Sequence, residues 1–478
     1  MVLGLTKSRI TRAILWSGIE RFSAQIVRFL VGIIITRFVA PEEYGLIAIV
    51  LVFVSFSEIF VNGGFSSALL RKSDRTEIDY STVFYFNVVV SVVFYLLLFF
   101  VSENIARFYG VNQLGILTKI AALNLVINSF AIIPTVRLTI HLNFKTQMKI
   151  SLFSVCISGV IGIFLAYRGY GVWALVVQTL IRNIASALLL CVITRWLPRE
   201  RFSYTSFQNL FSYGAKILVS NIVNAFSSSI YVFLMGKIYS TKVLGYYSRA
   251  EAFGKFPSHN IMILVWRVVY PALSTLKDNP RGLYVACRKY MCLSVYLISF
   301  LMFLLIGVSE PLIKLLLTDK WLPAAEILQI LSLAFVLHPI SAINMNIFEI
   351  KGRSDIYLKL TTYKRILEFV LLIISIPLGL EYVCWSLVLT AIVFIVVNIY
   401  FTRRIMNYGF KQQFADVAPV FFLASVMCAL VLGVTQLDIE AIFQLIIAIM
   451  LGGCIYFSGS IIFRMKHFFL LRQLIMKE

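Results

Sequence analysis

The chain has 478 residues, of which 60% are hydrophobic and only 14% are charged. Soluble domains run near about 45–50% apolar and about 25% charged, so a soluble protein is excluded. Long apolar stretches recur from end to end, which also excludes a soluble protein held by a single anchor.

A formal charge of +21 would point to nucleic acid in a soluble chain. In a membrane chain it reads as Lys and Arg retained in inner loops, and no nucleic-acid partner is expected. The seven cysteines show no CxxC or Cys/His spacing, so neither a disulfide framework nor a metal or other cofactor is expected. Glu20, Arg21 and Arg28 interrupt the first apolar stretch, which therefore does not read as a signal peptide.

A transmembrane helix needs about 20 mostly apolar residues. By that measure the chain contains fourteen predicted spans, the first six over 13–39, 45–66, 82–101, 114–140, 148–166 and 171–194. The next six cover 211–236, 244–273, 286–308, 324–348, 356–378 and 382–401, and two more cover 416–434 and 440–463. With both termini cytoplasmic, 28 Lys and Arg residues, Lys359, Lys364 and Arg365 among them, fall on the inner side and 7 on the outer. One missed span would invert every later loop, so this asymmetry supports the topology. The loops are short and leave no room for a soluble catalytic domain. The stretch 310–321 has an apolar face suited to the outer interface.

An internal repeat is visible. Residues 36–45 and 236–245 each end one span and begin the next at an offset of 200, and 173–176 is echoed by 385–388 at an offset of 212. Six spans separate the copies, so both halves enter the membrane in the same orientation. Parallel repeats of this kind place a substrate site between them.

Charges inside spans are costly and usually face protein or a water-filled cavity. Helix 1 carries Ser17, Arg21, Gln25, Arg28 and Gly32 in one polar stripe, with Arg28 near mid-membrane. Helix 7 carries Lys216, Ser220, Asn224, Ser227 and Tyr231, and helix 8 carries Arg249, Glu251 and Lys255. Guanidinium groups suit phosphate oxygens, and Asn, Gln, Ser and Tyr suit hydroxyls, so the set suits an anionic, sugar-rich substrate. Structural readings stand beside these: Glu251 and Lys255 are spaced to neutralise each other, and Arg21 can snorkel to the inner surface. Glu58, in mid-helix 2, reads equally as a proton site or as a partner for Arg28, while Arg182 in helix 6 does not join the candidate set.

The segments 36–49, 63–72, 169–182, 244–257, 269–280 and 351–359 together resemble the Wzx-type polysaccharide flippases. These belong to the multidrug/oligosaccharidyl-lipid/polysaccharide superfamily, and the segments are most like the colanic acid exporter branch. The resemblance implies an all-α membrane protein with two six-helix bundles around a central cavity, over 1–205 and 206–405, and two peripheral helices over 406–478. It implies transport of undecaprenyl-diphosphate-linked oligosaccharide from the cytoplasmic to the periplasmic leaflet of the inner membrane, without enzymatic activity. By similarity to the related lipid II flippases, Arg21, Arg28, Arg249 and Lys255 would contact the diphosphate, with Gln25, Lys216 and Asn224 completing the substrate surface. Glu58 and Glu251 are the candidates for coupling to H⁺ or another ion, and polysaccharide polymerase machinery is an expected partner. Helix 2 departs from the family pattern in offering Glu58 and no arginine. A drug/cation antiporter of the same superfamily would need a mostly acidic interior, and a polymerase or ligase a large outer loop; the chain has neither.

Overall fold

Lipid offers no partner for backbone N–H and C=O groups, so a chain this apolar satisfies its main chain within helices. The computed structural model describes residues 7–475; side chains are described except at 1–21, 227, 228, 264, 266–268, 271, 272 and 471–478. Arg21, Ser17 and Ser227 therefore lie outside the described side chains. Among the described residues there are nineteen α-helices and no strand.

The first nine are α1 (Lys7–Phe38), α2 (Pro41–Asn62), α3 (Phe65–Arg71), α4 (Glu77–Tyr109), α5 (Gln113–Ala121), α6 (Leu123–Ile140), α7 (Phe144–Tyr167), α8 (Val172–Thr194) and α9 (Tyr204–Ile238). The rest are α10 (Thr241–Ser274), α11 (Pro280–Gly307), α12 (Ser309–Leu317), α13 (Pro323–Val336), α14 (His338–Ile350), α15 (Ser354–Ser375), α16 (Leu380–Met406), α17 (Phe410–Thr435), α18 (Ala441–Ile462) and α19 (Lys466–Ile475). Among the described residues, eleven helical stretches are long and apolar enough to cross a membrane. The first, eighth and eleventh expected spans correspond to α1, α10 and α15, which have 32, 34 and 22 residues but carry charges along their length. Length and composition thus give eleven candidate spans among the described residues, and the fourteen-span topology is a proposal.

The chain divides into two compact units, Met1–Gly245 and Tyr246–Glu478. In the first, α1 lays Ala24, Val31 and Ile35 against α7, where Gly159 and Gly162 let the helices approach closely. The second expected span breaks between α2 and α3 at Gly63 and Gly64, both at positive φ (51° and 71°). Gly64 also passes 2.3 Å, measured from the Cβ it lacks, from the Gly214 carbonyl oxygen of α9. One end of this unit is closed by Phe65, Leu69, Tyr80, Ile133, Trp196 and Leu210. There Trp196 Nε1 donates to Glu77 at 2.9 Å, and Lys72 pairs with Asp79 at 2.8 Å. Thr76 and Asp79 form the capping box that starts α4.

In the second unit, α11 and α14 pack with α16 to α19 around Tyr296, Tyr408, Val420, Met427 and Tyr456. Arg288 of α11 donates two hydrogen bonds to Asp416 of α17, at 2.7 and 2.5 Å. The stretch 310–321 differs from expectation. It forms α12 and a tight turn whose Pro311, Ile313, Leu317 and Trp321 are buried in protein, so its apolar face meets neighbouring helices rather than the interface.

Lys364 and Arg365, counted with the inner side although they fall inside the expected span 356–378, stand halfway along the 22 residues of α15.

Candidate functional site

The first unit encloses a cavity of about 250 Å³ between α2, α5, α6 and α8. Its polar wall is formed by Glu58 on α2, Asn124 and Asn128 on α6, and Thr179, Arg182 and Asn183 on α8. Four-residue spacing puts Asn124 and Asn128 on one face of α6, and Thr179 and Asn183 on one face of α8. Asn128 donates to the Glu58 carboxylate at 2.8 Å, and Asn183 donates to Asn124 at 2.7 Å. Arg182 is within electrostatic reach of both Glu58 and Arg28. Arg28 is exposed on α1, and its Nε donates to the Ala24 carbonyl at 3.2 Å.

Arg28, Arg182 and Glu58 thus form one electrostatic group with a single excess positive charge, set among amides in otherwise apolar helices. Such charges are stable at this depth only where amides or water solvate them. The group can hold an anion with charge-assisted hydrogen bonds, and Glu58 offers a carboxylate that a proton or cation can neutralise.

Among the other sequence candidates, Gln25 is half-buried on α1, and Lys216 and Asn224 are exposed on α9. In the second unit, Arg249 is half-buried and makes a contact within the fold, while Glu251 and Lys255 form an ion pair at 2.6 Å. The structure therefore brings Arg28 and Glu58 together through Arg182. Asn124, Asn128, Thr179 and Asn183 were not among the sequence candidates. The available signal was their spacing within apolar spans.

A sequence profile of the family described as polysaccharide biosynthesis protein matches residues 34–326, more than half of the chain. The chain belongs to that family. Teichuronic acid biosynthesis protein TuaB of Bacillus subtilis (strain 168) is 26% identical over 413 residues, covering 84% of each chain. Lipopolysaccharide biosynthesis protein WzxC of Escherichia coli (strain K12) is 21% identical over 342 residues, 70% of this chain and 68% of WzxC. The fold is similar to that of the lipid II flippase MurJ, solved in an inward closed conformation. The TM-score is 0.76 at 16% identity, covering 94% of this chain and 99% of MurJ. Family and fold agree with the resemblance read from the sequence: a multi-pass, all-helical membrane protein of polysaccharide biosynthesis.

Proposed function

We propose that this chain is a flippase that moves undecaprenyl-diphosphate-linked oligosaccharide from the cytoplasmic to the periplasmic leaflet of the inner membrane. It supplies repeat units for a surface polysaccharide and is a transporter rather than an enzyme. Fourteen spans, with both termini cytoplasmic, form lobes over 1–205 and 206–405 and a peripheral pair over 406–478. The lobes alternate access to a site that the parallel repeats create.

The observation that carries this reading is the cavity holding Arg182 and Glu58, with Arg28 within electrostatic reach of Arg182, in a polysaccharide biosynthesis protein. Arg28, with Arg21, takes the diphosphate, because a planar guanidinium matches phosphate oxygens bidentately. Arg249 and Lys255 contribute further positive charge, and Gln25, Lys216 and Asn224 meet the sugars. The polyprenyl tail stays in lipid. Glu58, held by Asn128 and facing Arg182, couples transport to a proton, with Glu251 as a secondary candidate; the delivered units pass to polymerase machinery.

The test is depletion of the protein in cells followed by leaflet-specific labelling of lipid-linked oligosaccharide. The proposal expects accumulation on the cytoplasmic leaflet, reversed by wild-type protein. Unchanged sidedness rejects it.

A further inference from the structure

Three helical stretches of the second unit place basic residues halfway along their length. α10 offers Lys255 and His259, the junction of α13 and α14 offers His338, and α15 offers Lys364 and Arg365. His338 lies within electrostatic reach of Lys364, His259 and Lys255, so these residues form one cluster.

The backbone explains how they meet. Pro339, in the first turn of α14, has no N–H to give to the Phe335 carbonyl four residues earlier. Ser258 of α10 supplies the missing donor, its hydroxyl reaching that carbonyl at 3.2 Å while only 2% exposed. Gly254, one turn before Ser258, lacks the Cβ that would lie 2.7 Å from the Phe335 ring. These contacts hold the Lys255–His259 segment of α10 against the α13–α14 bend.

The charges are accessible. His259, His338 and Lys255 are exposed, and the Lys364 and Arg365 side chains are each 32% exposed. Fixed charges near the middle of spans do not face hydrocarbon, so this surface faces water or a polar ligand. Lys255 is matched by Glu251 at 2.6 Å. Lys364 and Arg365 share Glu368, at 3.7 and 2.8 Å, which leaves one excess positive charge besides the two histidines. Arg365 Nε is buried and has no hydrogen-bond partner among the described residues.

We infer that this cluster is a second anion site, specific for a carboxylate on an acidic sugar of the transported glycan. It rests on the flippase reading for the identity of the cargo and on the fourteen-span proposal for α10 and α15 crossing the membrane. One excess charge matches a monoanion, and the exposed imidazoles can hydrogen-bond the neighbouring hydroxyls.

The test uses purified full-length protein in nanodiscs. A glucuronic-acid oligosaccharide and its neutral methyl ester are titrated and their dissociation constants compared. Wild type is expected to bind the acid about tenfold more tightly, the yield of about one charge-assisted hydrogen bond. The Lys364→Gln/Arg365→Gln/Glu368→Gln variant, which removes the excess charge without leaving Glu368 unpaired, should bind both forms alike. Arg365→Gln alone keeps the Lys364–Glu368 pair, guarding against misfolding, and should lower the ratio about threefold. Arg28→Ala should leave the ratio unchanged even if it stops flipping, which separates this site from the proposed diphosphate contacts. Equal binding of acid and ester by wild type, or a preference that survives both changes at α15, would overturn the inference.

Discussion

Gly45 and Gly245 make reciprocal contacts: each lies against the backbone at the start of the other's helix. A Cβ on Gly45 would sit 1.8 Å from the Thr241 carbonyl oxygen, and one on Gly245 would sit 1.9 Å from that of Pro41. The two contacts, Gly45 with Thr241 and Gly245 with Pro41, are copies of each other at the repeat offset of 200. Reciprocity of this kind is what a local two-fold relation between the starts of α2 and α10 produces. Lys242 and Glu42, also 200 apart, add an exposed ion pair at 3.6 Å.

Gly45→Ala and Gly245→Ala should each lower the unfolding temperature of the detergent-purified protein, by the equivalent of about 1–3 kcal/mol or more. A backbone carbonyl cannot swing aside as a side chain can. Gly433→Ala is the control, because nothing lies within 4 Å of its added methyl. Equal melting of all three variants and wild type would contradict the close approach.

The Ser258–Phe335 bond should matter only while Pro339 withholds its own donor. Ser258→Ala is expected to cost about 1 kcal/mol in the wild-type background and much less in a Pro339→Ala background. A double-mutant cycle on thermal unfolding measures the coupling, and strictly additive losses would disconnect the two residues.

His467 predicts a pH dependence of stability outside the spans. Burial holds its imidazole below the ordinary histidine value, with one ring nitrogen at 2.9 Å from the Asp416 carbonyl oxygen. The unfolded chain takes up this proton near about pH 6.5, before the folded chain does. The stabilisation is therefore complete above that pH and is lost as pH falls through the lowered folded value. Wild type should lose more unfolding temperature between pH 7.5 and 5.5 than His467→Asn. Parallel curves would show that His467 does not contribute.

Glu58→Gln separates the proton site from the structural partner. If Glu58 carries the coupling proton, the variant should be expressed and bind substrate but flip it at a rate independent of pH. Retained pH dependence in a well-expressed variant would end that role.

Arg28 and Glu58 were legible because a charge stands out sharply against apolar helices. Asn124, Asn128 and Asn183 were not, since uncharged amides blend into such segments and their value lies in facing one another across α6 and α8. Arg182 was visible, but no local pattern joins α8 to α2. The expected span 356–378 already places Lys364 and Arg365 within a helix, and α15, which starts at Ser354, puts them halfway along it. The breaks at the Gly63–Gly64 pair and at Pro339 were not legible in the sequence, where 45–66 and 324–348 stand as continuous spans. The fold was legible to the extent that hydropathy determines helices; the site was legible only where it carried charge.

The most direct test of the central claim is leaflet-specific labelling of lipid-linked oligosaccharide in depleted cells complemented with wild type, Arg28→Ala or Arg28→Ala/Glu58→Ala, at matched membrane levels. Wild type should restore labelling from the periplasmic side. Both variants should leave at least about tenfold more substrate on the cytoplasmic leaflet, as expected when a charge-assisted contact to the diphosphate is lost. Full restoration by the double variant would contradict Arg28 as a diphosphate ligand, and an unchanged leaflet distribution in depleted cells would contradict flipping itself.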